Sequence, residues 1–284
     1  MTTSDKPLQE LIVETIATRD VRLPVFNPVA LRLQKALHRE DVKLAQIEAM
    51  IVEDQTLASQ ILRVANAAFY RGLQPASTIR KAIIRLGLQQ VVNLAMVVAQ
   101  QQLYDPGGGL FTQYLQKLWQ HAFASAMACK WLAERCGYRS EADAAFLAGL
   151  LHNIGQLALL KILEDLYAEG LIPADLPESL VSEILASDMH TQQGYALLEK
   201  WNLPDEYRVV VRDHHQATCD PGNILLVIVR LVDQACEKNG IGLSADPEIA
   251  LAATSEAQTL GLGDIPLAEL EILLEDGVAM ASQV

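Results

Sequence analysis

Aromatic residues are scarce in this sequence, at 5% of 284, while Leu, Ala, Ile and Val are plentiful. No stretch alternates apolar and polar residues as a half-buried strand would, so a sheet protein is excluded and packed helices are expected. Cysteine is nearly absent too. Cys129, Cys136, Cys219 and Cys236 form no CxxC and no paired spacing, which excludes a disulfide framework and predicts reduced thiols in a cytosolic protein. Positive charge is short: 22 Lys and Arg face 35 Asp and Glu, a formal net charge of −13. Broad binding to a phosphate backbone needs clustered Lys and Arg, so a nucleic-acid partner is not expected. Arg63, Arg71, Arg80, Lys81 and Arg85 make either a local basic patch or solvated helix faces, and the second is the usual outcome. No uncharged apolar run approaches the roughly 20 residues of a membrane span. The start, Met1 to Pro7, lacks a positive-then-apolar leader. A soluble, cytoplasmic protein without a membrane partner is expected.

What is present is apolar: 51% of residues, against 20% charged. A chain of this length and composition is not disordered and buries a sizeable core. Helical spacing predicts Leu8–Thr18, a helix opened by Asn27 and Pro28 and ending near His38, and Leu44–Val52. Asp54 caps a helix over Thr56–Ala68, Ser77 or Thr78 opens one through Leu86, and Leu88–Leu103 follows Gly87. Asp105-Pro-Gly-Gly-Gly109 resists both helix and strand and marks an internal boundary. Beyond it come Leu115–Cys136, Glu141–His152, Leu157–Leu171, Glu178–Trp201, Asp205–His215 and Asn223–Glu237. Two further helical patterns, Pro247–Leu260 and Pro266–Met280, close the chain. The fold class is all-α.

The stretch from Ala144 to Leu157 is the centre of this arrangement. It is an apolar, small-residue helix that ends in His152-Asn153, with Gly155 expected to let the chain turn. Ala145, Ala148 and Gly149 would let neighbouring helices approach closely. His121, His190, His214 and His215 sit where apolar helices would otherwise pack. Asp233 stands inside an apolar helix, where a lone carboxylate is costly unless paired or metal-bound. Taken singly, such a histidine is more often a hydrogen-bonded core residue than a ligand. Together these residues offer imidazoles and a carboxylate from five helices, the inventory of a metal site. Asn66 and Tyr70 share a helix face with Phe69 beside them, which suits either packing or a groove that accepts a partner.

The run Leu150-Leu151-His152-Asn153-Ile154-Gly155-Gln156 resembles the His-Asp-x-Gly-Lys core of HD phosphohydrolases. Asn153 stands in the Asp position and Gln156 in the one often held by Lys. The order His121, His152-Asn153, His190, His214-His215, Asp233 is similar to the ligand order of those enzymes. More specific features are Leu23-Pro24 with Pro28-Val29-Ala30, Glu53-Asp54 with Leu57, the segment Ile61–Tyr70, Thr78–Gly87 and Trp201-Asn202-Leu203-Pro204. On these the chain resembles the HDOD family over roughly residues 20 to 238. The resemblance implies an HD-like helical core at 110–238, an N-terminal helical subdomain at 20–104 and a helical tail at 239–284. It implies a bacterial signal-transduction module that binds a protein or small ligand, with a metal-dependent phosphohydrolase as the alternative. The vestigial metal ligands would be His121, His152, Asn153, His190, His214, His215 and Asp233. A binding groove would involve Asn66, Phe69, Tyr70 and Gln156. No catalytic residue is assigned, because Asn153 is a poorer ligand than a bridging carboxylate and Gln156 brings no cation to a phosphate. No cofactor is required, though the site could hold one divalent ion.

Overall fold

The computed structural model describes residues 7–18, 25–37, 43–66, 75–104 and 109–282. Among them there is no strand, and the chain is built from α-helices with short 3-10 turns. It divides into two compact units, residues 25–103 and a larger unit formed by residues 104–282 together with the chain start.

In the smaller unit, α2 (Pro28–Leu37), α3 (Leu44–Val52), α4 (Gln55–Ala65), α5 (Ile79–Leu86) and α6 (Leu88–Gln101) close around one apolar core. Leu33, Ile47, Ile51, Leu57, Ile61, Ile83 and Val91 are buried there. The polar residues at the helix starts do what their types predict. Asn27 Oδ1 accepts the Val29 and Ala30 amides, and Asp54 Oδ1 accepts the Leu57 amide at 2.9 Å. Asn27 Nδ2 also donates to Asp54 at 2.8 Å, so the two caps brace each other. The Leu57 amide and then Asn27 hold the Asp54 carboxyl below its usual range. The basic residues here are used internally: Arg80 pairs with Glu48, and Arg85 donates to the Ala65 carbonyl. Arg71 lies outside the described residues.

The larger unit is organised by α7 (Thr112–Arg135), a 24-residue helix. Against it pack α8 (Ala142–Leu151), α13 (Ile224–Lys238) and α15 (Asp264–Ala281). The C-terminal segment is thus part of this unit's core: Trp119 Nε1 donates to the Ala281 carbonyl at 3.0 Å. α1 (Leu8–Thr18) packs on α9 (Ile154–Ala168), and α9 also meets α10 (Glu178–Ala186) and α11 (Met189–Lys200). α12 (Asp205–Asp213) joins α11 to α13, and α14 (Ser255–Thr259) lies on α13. The stretch Arg139–Ala168 has the length and apolarity of a membrane span, but 94% of its most apolar window is buried inside the fold, as in a core helix.

The small residues of α8 set the packing distance. A Cβ built on Gly149 would lie 2.8 Å from both Cys129 Sγ and the Ser125 carbonyl oxygen of α7. Gly149→Leu should therefore destabilise by at least the ~1–3 kcal/mol typical of overpacking; a thermal melt checks it, and an unchanged Tm would count against this contact.

Three sequence expectations need correction. Glu178–Trp201 is two helices, broken at Ser187-Asp188, where Ser187 turns extended and its hydroxyl bonds the Ile184 carbonyl. Pro247–Leu260 is mostly irregular, with a 3-10 turn at Leu251–Ala253 and only α14 helical, capped by Thr254. Gly155 makes no turn. It lies in the first turn of α9, where its missing side chain matters for a different reason: a Cβ there would fall 1.8 Å from the His190 carbonyl oxygen on α11.

Candidate metal centre

Five helices deliver the polar residues to one place inside the larger unit. α7 brings His121, the α8–α9 junction brings His152 and Asn153, α11 brings His190, the end of α12 brings His214 and His215, and α13 brings Asp233. His121, His152, His190 and His214 are buried, Asn153 and Asp233 half-buried, and His215 exposed. Their donor atoms form two neighbouring groups, His121 with His152 and Asp233, and His190 with His214 and His215.

The backbone decides which ring nitrogen faces inward. His121 Nδ1 donates to the Ile241 carbonyl at 2.9 Å, and His152 Nδ1 to Gly149 at 2.8 Å. His190 Nδ1 donates to Ser187 at 2.7 Å, and His214 Nδ1 to Val211 at 2.9 Å. A carbonyl oxygen only accepts, so the proton sits on Nδ1 and each neutral ring turns an Nε2 lone pair toward the centre. The break at Ser187, which helical periodicity does not reveal, places the carbonyl that orients His190 and that also accepts the His190 amide at 3.0 Å.

These lone pairs crowd one another. The Nε2 atoms of His121 and His152 are 3.1 Å apart and stand 3.5 and 3.4 Å from Asp233 Oδ1. Those of His190 and His214 are 3.3 Å apart. Such clusters repel unless a proton or a cation lies among them. Burial opposes the proton: it pushes His121 and His190 down to about 4 and His214 well below the usual imidazole value. Burial pushes the Asp233 carboxyl upward, but its pairing with the surrounding imidazoles, His152 first, outweighs this and holds the group low. Donor atoms bound to one cation at about 2.1 Å stand roughly 3.0–3.4 Å apart. At 3.1, 3.4 and 3.5 Å the first group lies close to that spacing, and the oriented imidazoles beside a carboxylate fit a divalent ion.

Asn153 lies between the groups. Its Nδ2 donates to His121 Nε2 at 3.1 Å, and its Oδ1 stands 3.1 Å from His214 Nε2. A carboxylate in that seat would show an oxygen to both sides. An amide shows an oxygen to one side and an NH₂, which cannot ligate, to the other.

A cavity of about 240 Å³ opens onto this cluster, lined by His121, Asn153, Gln156, His215, Asp233 and Glu237, with the loop Ile241–Ser244 forming one wall. Among the described residues no Lys or Arg lines it. Asn66, named beside Gln156 as a groove residue, is spent elsewhere: its amide bonds the Ala76 backbone both ways, at 3.0 and 2.8 Å, closing the chain of the smaller unit. Phe69 and Tyr70 lie outside the described residues. Two contributors escaped sequence reasoning. Arg230 Nη1 donates to the His214 and Gln216 carbonyls at 3.1 and 2.6 Å, and its Nε donates to Glu256 at 2.5 Å. The Ile241 carbonyl holds His121. A charge inside an apolar helix, such as Arg230 in α13, is a signal that sequence carries; a backbone carbonyl leaves no such trace.

The chain belongs to the HDOD domain family, whose family model matches residues 23–217. A protein of Treponema pallidum (strain Nichols), described as uncharacterized, is 28% identical over 215 residues, 72% of this chain. The chain spans 40% of that relative's length. An HDOD domain protein with unknown function from Geobacter sulfurreducens superposes with a TM-score of 0.74 at 23% identity, covering 96% of both chains. A candidate metal-dependent phosphohydrolase from Shewanella amazonensis SB2B gives 0.66 at 22% identity, over 95% of this chain and 98% of that one. A candidate signal transduction protein from Marinobacter aquaeolei VT8 gives 0.69 at 24%, over 98% of this chain and 61% of its own. At these identities the structures share the HD-like helical fold.

Proposed function

We propose that this chain is a non-catalytic regulatory module of bacterial signal transduction that acts by binding a protein or a small ligand. On this reading its degenerate HD site, at His121, His152 and Asp233, holds one divalent ion as a structural or sensing element. The observation that carries it is the seat of Asn153. The amide stands where a shared anionic ligand would be needed to hold two ions at once, and it can offer an oxygen to only one of the two groups. The first group has the carboxylate, and Asp233 is the charge that favours an ion there.

A bound divalent ion would supply Lewis acidity toward an oxygen ligand. The chain's own residues orient the imidazoles, keep Asp233 ionised and shield the cluster, but they add little that hydrolysis needs. Gln156 is neutral where a phosphate would require a cation, and the cavity wall carries Asp233 and Glu237. Burial, and then the charges of Asp233 and Asp246, push the Glu237 carboxyl upward. The alternative, a metal-dependent phosphohydrolase, draws support from the full set of five histidines and one aspartate meeting beneath an open cavity.

Assays with Mn²⁺ or Fe²⁺ on phosphomonoester, nucleotide and cyclic dinucleotide substrates separate the two. No turnover is expected from the unmodified protein, and Asn153→Asp with Gln156→Lys should raise metal occupancy. Turnover that His152→Ala abolishes would establish the hydrolase instead.

A further inference from the structure

The family match ends at residue 217, yet the loop that follows α13 reaches back to His121, a member of the cluster. Resting on the metal-binding reading, we propose that the Ile241 carbonyl is a positioning group for the ligand His121, and that Gly242 is the residue that lets it reach.

A neutral imidazole can carry its proton on either nitrogen. Asp233 Oδ1, 3.5 Å from His121 Nε2, favours the tautomer with the proton on Nε2, which would donate to the carboxylate. That tautomer points a hydrogen at the ion's position and occupies an Asp233 oxygen as well. The Ile241 carbonyl, 2.9 Å from Nδ1, opposes it by accepting the proton at the far side of the ring. Such outer partners fix the tautomer and raise the basicity of a ligating histidine.

The loop is held for this task from behind. The Ile241 amide donates to the Cys236 carbonyl at 2.9 Å, the Asn239 side chain donates to Ala235 at 2.8 Å, and the Asp246 amide donates to Glu237 at 3.0 Å. Each tie returns the loop to the last turn of α13, so the helix that supplies Asp233 also carries the group that orients His121. Gly242 follows directly, at φ +127°, and a Cβ there would lie 3.1 Å from His121 Nδ1. A side chain at 242 would push the loop and the ring apart and lengthen the Ile241 contact. Gly240 is a control within the same loop. It is also at positive φ, +66°, but a Cβ there would touch only Ala245 Cβ, at 3.6 Å.

The test is Co²⁺ binding to the metal-stripped full chain, followed by visible absorption, for the unmodified protein, Gly242→Ala and Gly240→Ala. Both variants should lose some thermal stability from backbone strain. Only Gly242→Ala should lower Co²⁺ affinity, by about 10–100-fold, and alter the ligand-field bands. Equal loss in both variants, or unchanged affinity and spectrum in Gly242→Ala, would overturn the proposal. Failure of the unmodified protein to bind Co²⁺ would instead overturn the metal reading on which it rests. Should Gly242→Ala fail to fold, long-range ¹H–¹⁵N NMR of the metal-free unmodified protein decides, with His121→Gln assigning the signal. His121 protonated on Nδ1 is expected, and a proton on Nε2 would refute the assignment.

Discussion

Gly155→Ala should be among the most damaging single-methyl changes in the protein. The added Cβ would fall 1.8 Å from the His190 carbonyl oxygen and 2.6 Å from the Gly194 amide nitrogen, both backbone atoms of α11. A flexible side chain could swing away; a helix backbone moves only as a whole. The expected loss lies at or beyond the top of the ~1–3 kcal/mol overpacking range, a fall in Tm on the order of 6–12 °C for a domain this large. It would also displace the start of α11, where the Ser187 carbonyl orients His190, so metal affinity should fall with stability. Gly194→Ala is the milder comparison, because its Cβ would meet Val211 Cγ1, a side-chain atom, at 2.6 Å. Equal melting temperatures for Gly155→Ala and the unmodified protein would show that α9 and α11 do not approach this closely.

Glu256→Ala should rival it by another route. The Arg230 side chain is 11% exposed and that of Glu256 3%, so the pair is largely desolvated. Removing the carboxylate leaves a buried guanidinium that still donates to the carbonyls of His214 and Gln216. Breaking a buried pair from one side typically costs about 3–5 kcal/mol. Denaturant unfolding measures it, and Glu256→Gln, which keeps a hydrogen-bond acceptor, should lose less. The pH dependence has a definite sign. Burial raises the Glu256 carboxyl, but the Arg230 hydrogen bond and its companions prevail and lower it from 4.5. Its contribution is therefore present above pH 4.5 and fades as the pH falls below that value. A loss under ~1 kcal/mol for Glu256→Ala would mean that the pair is solvated.

Much of this fold was legible because helices announce themselves in apolar spacing and caps. Asn27, Asp54 and Thr78 cap where their residue types predict, and the acidic, strand-free composition left few alternatives. The members of the cluster were legible for a different reason. His121, His152, His190, His214 and Asp233 are expensive in apolar helices, and that expense is visible in one dimension. What the sequence concealed is what a backbone does in three. The Ser187 break is hidden inside a continuous helical pattern, yet it places the carbonyl that holds His190. Gly155 suggests a turn in sequence because glycine often makes one, whereas its position is set by the distance between α9 and α11. The Ile241 carbonyl has no residue identity to reveal it. Asn66 suits packing or a groove by its helix position, whereas its amide is bound to the Ala76 backbone.

The central claim is that Asn153 leaves room for one ion where a bridging carboxylate would hold two. Its most direct measurement is metal content per chain: the stripped protein is equilibrated with excess Mn²⁺ or Zn²⁺, desalted and analysed by mass spectrometry of the element, beside Asn153→Asp. The account predicts about one ion per chain, lost in His152→Ala, with a higher content in Asn153→Asp. Two ions in the unmodified protein, or none in either form, would contradict it.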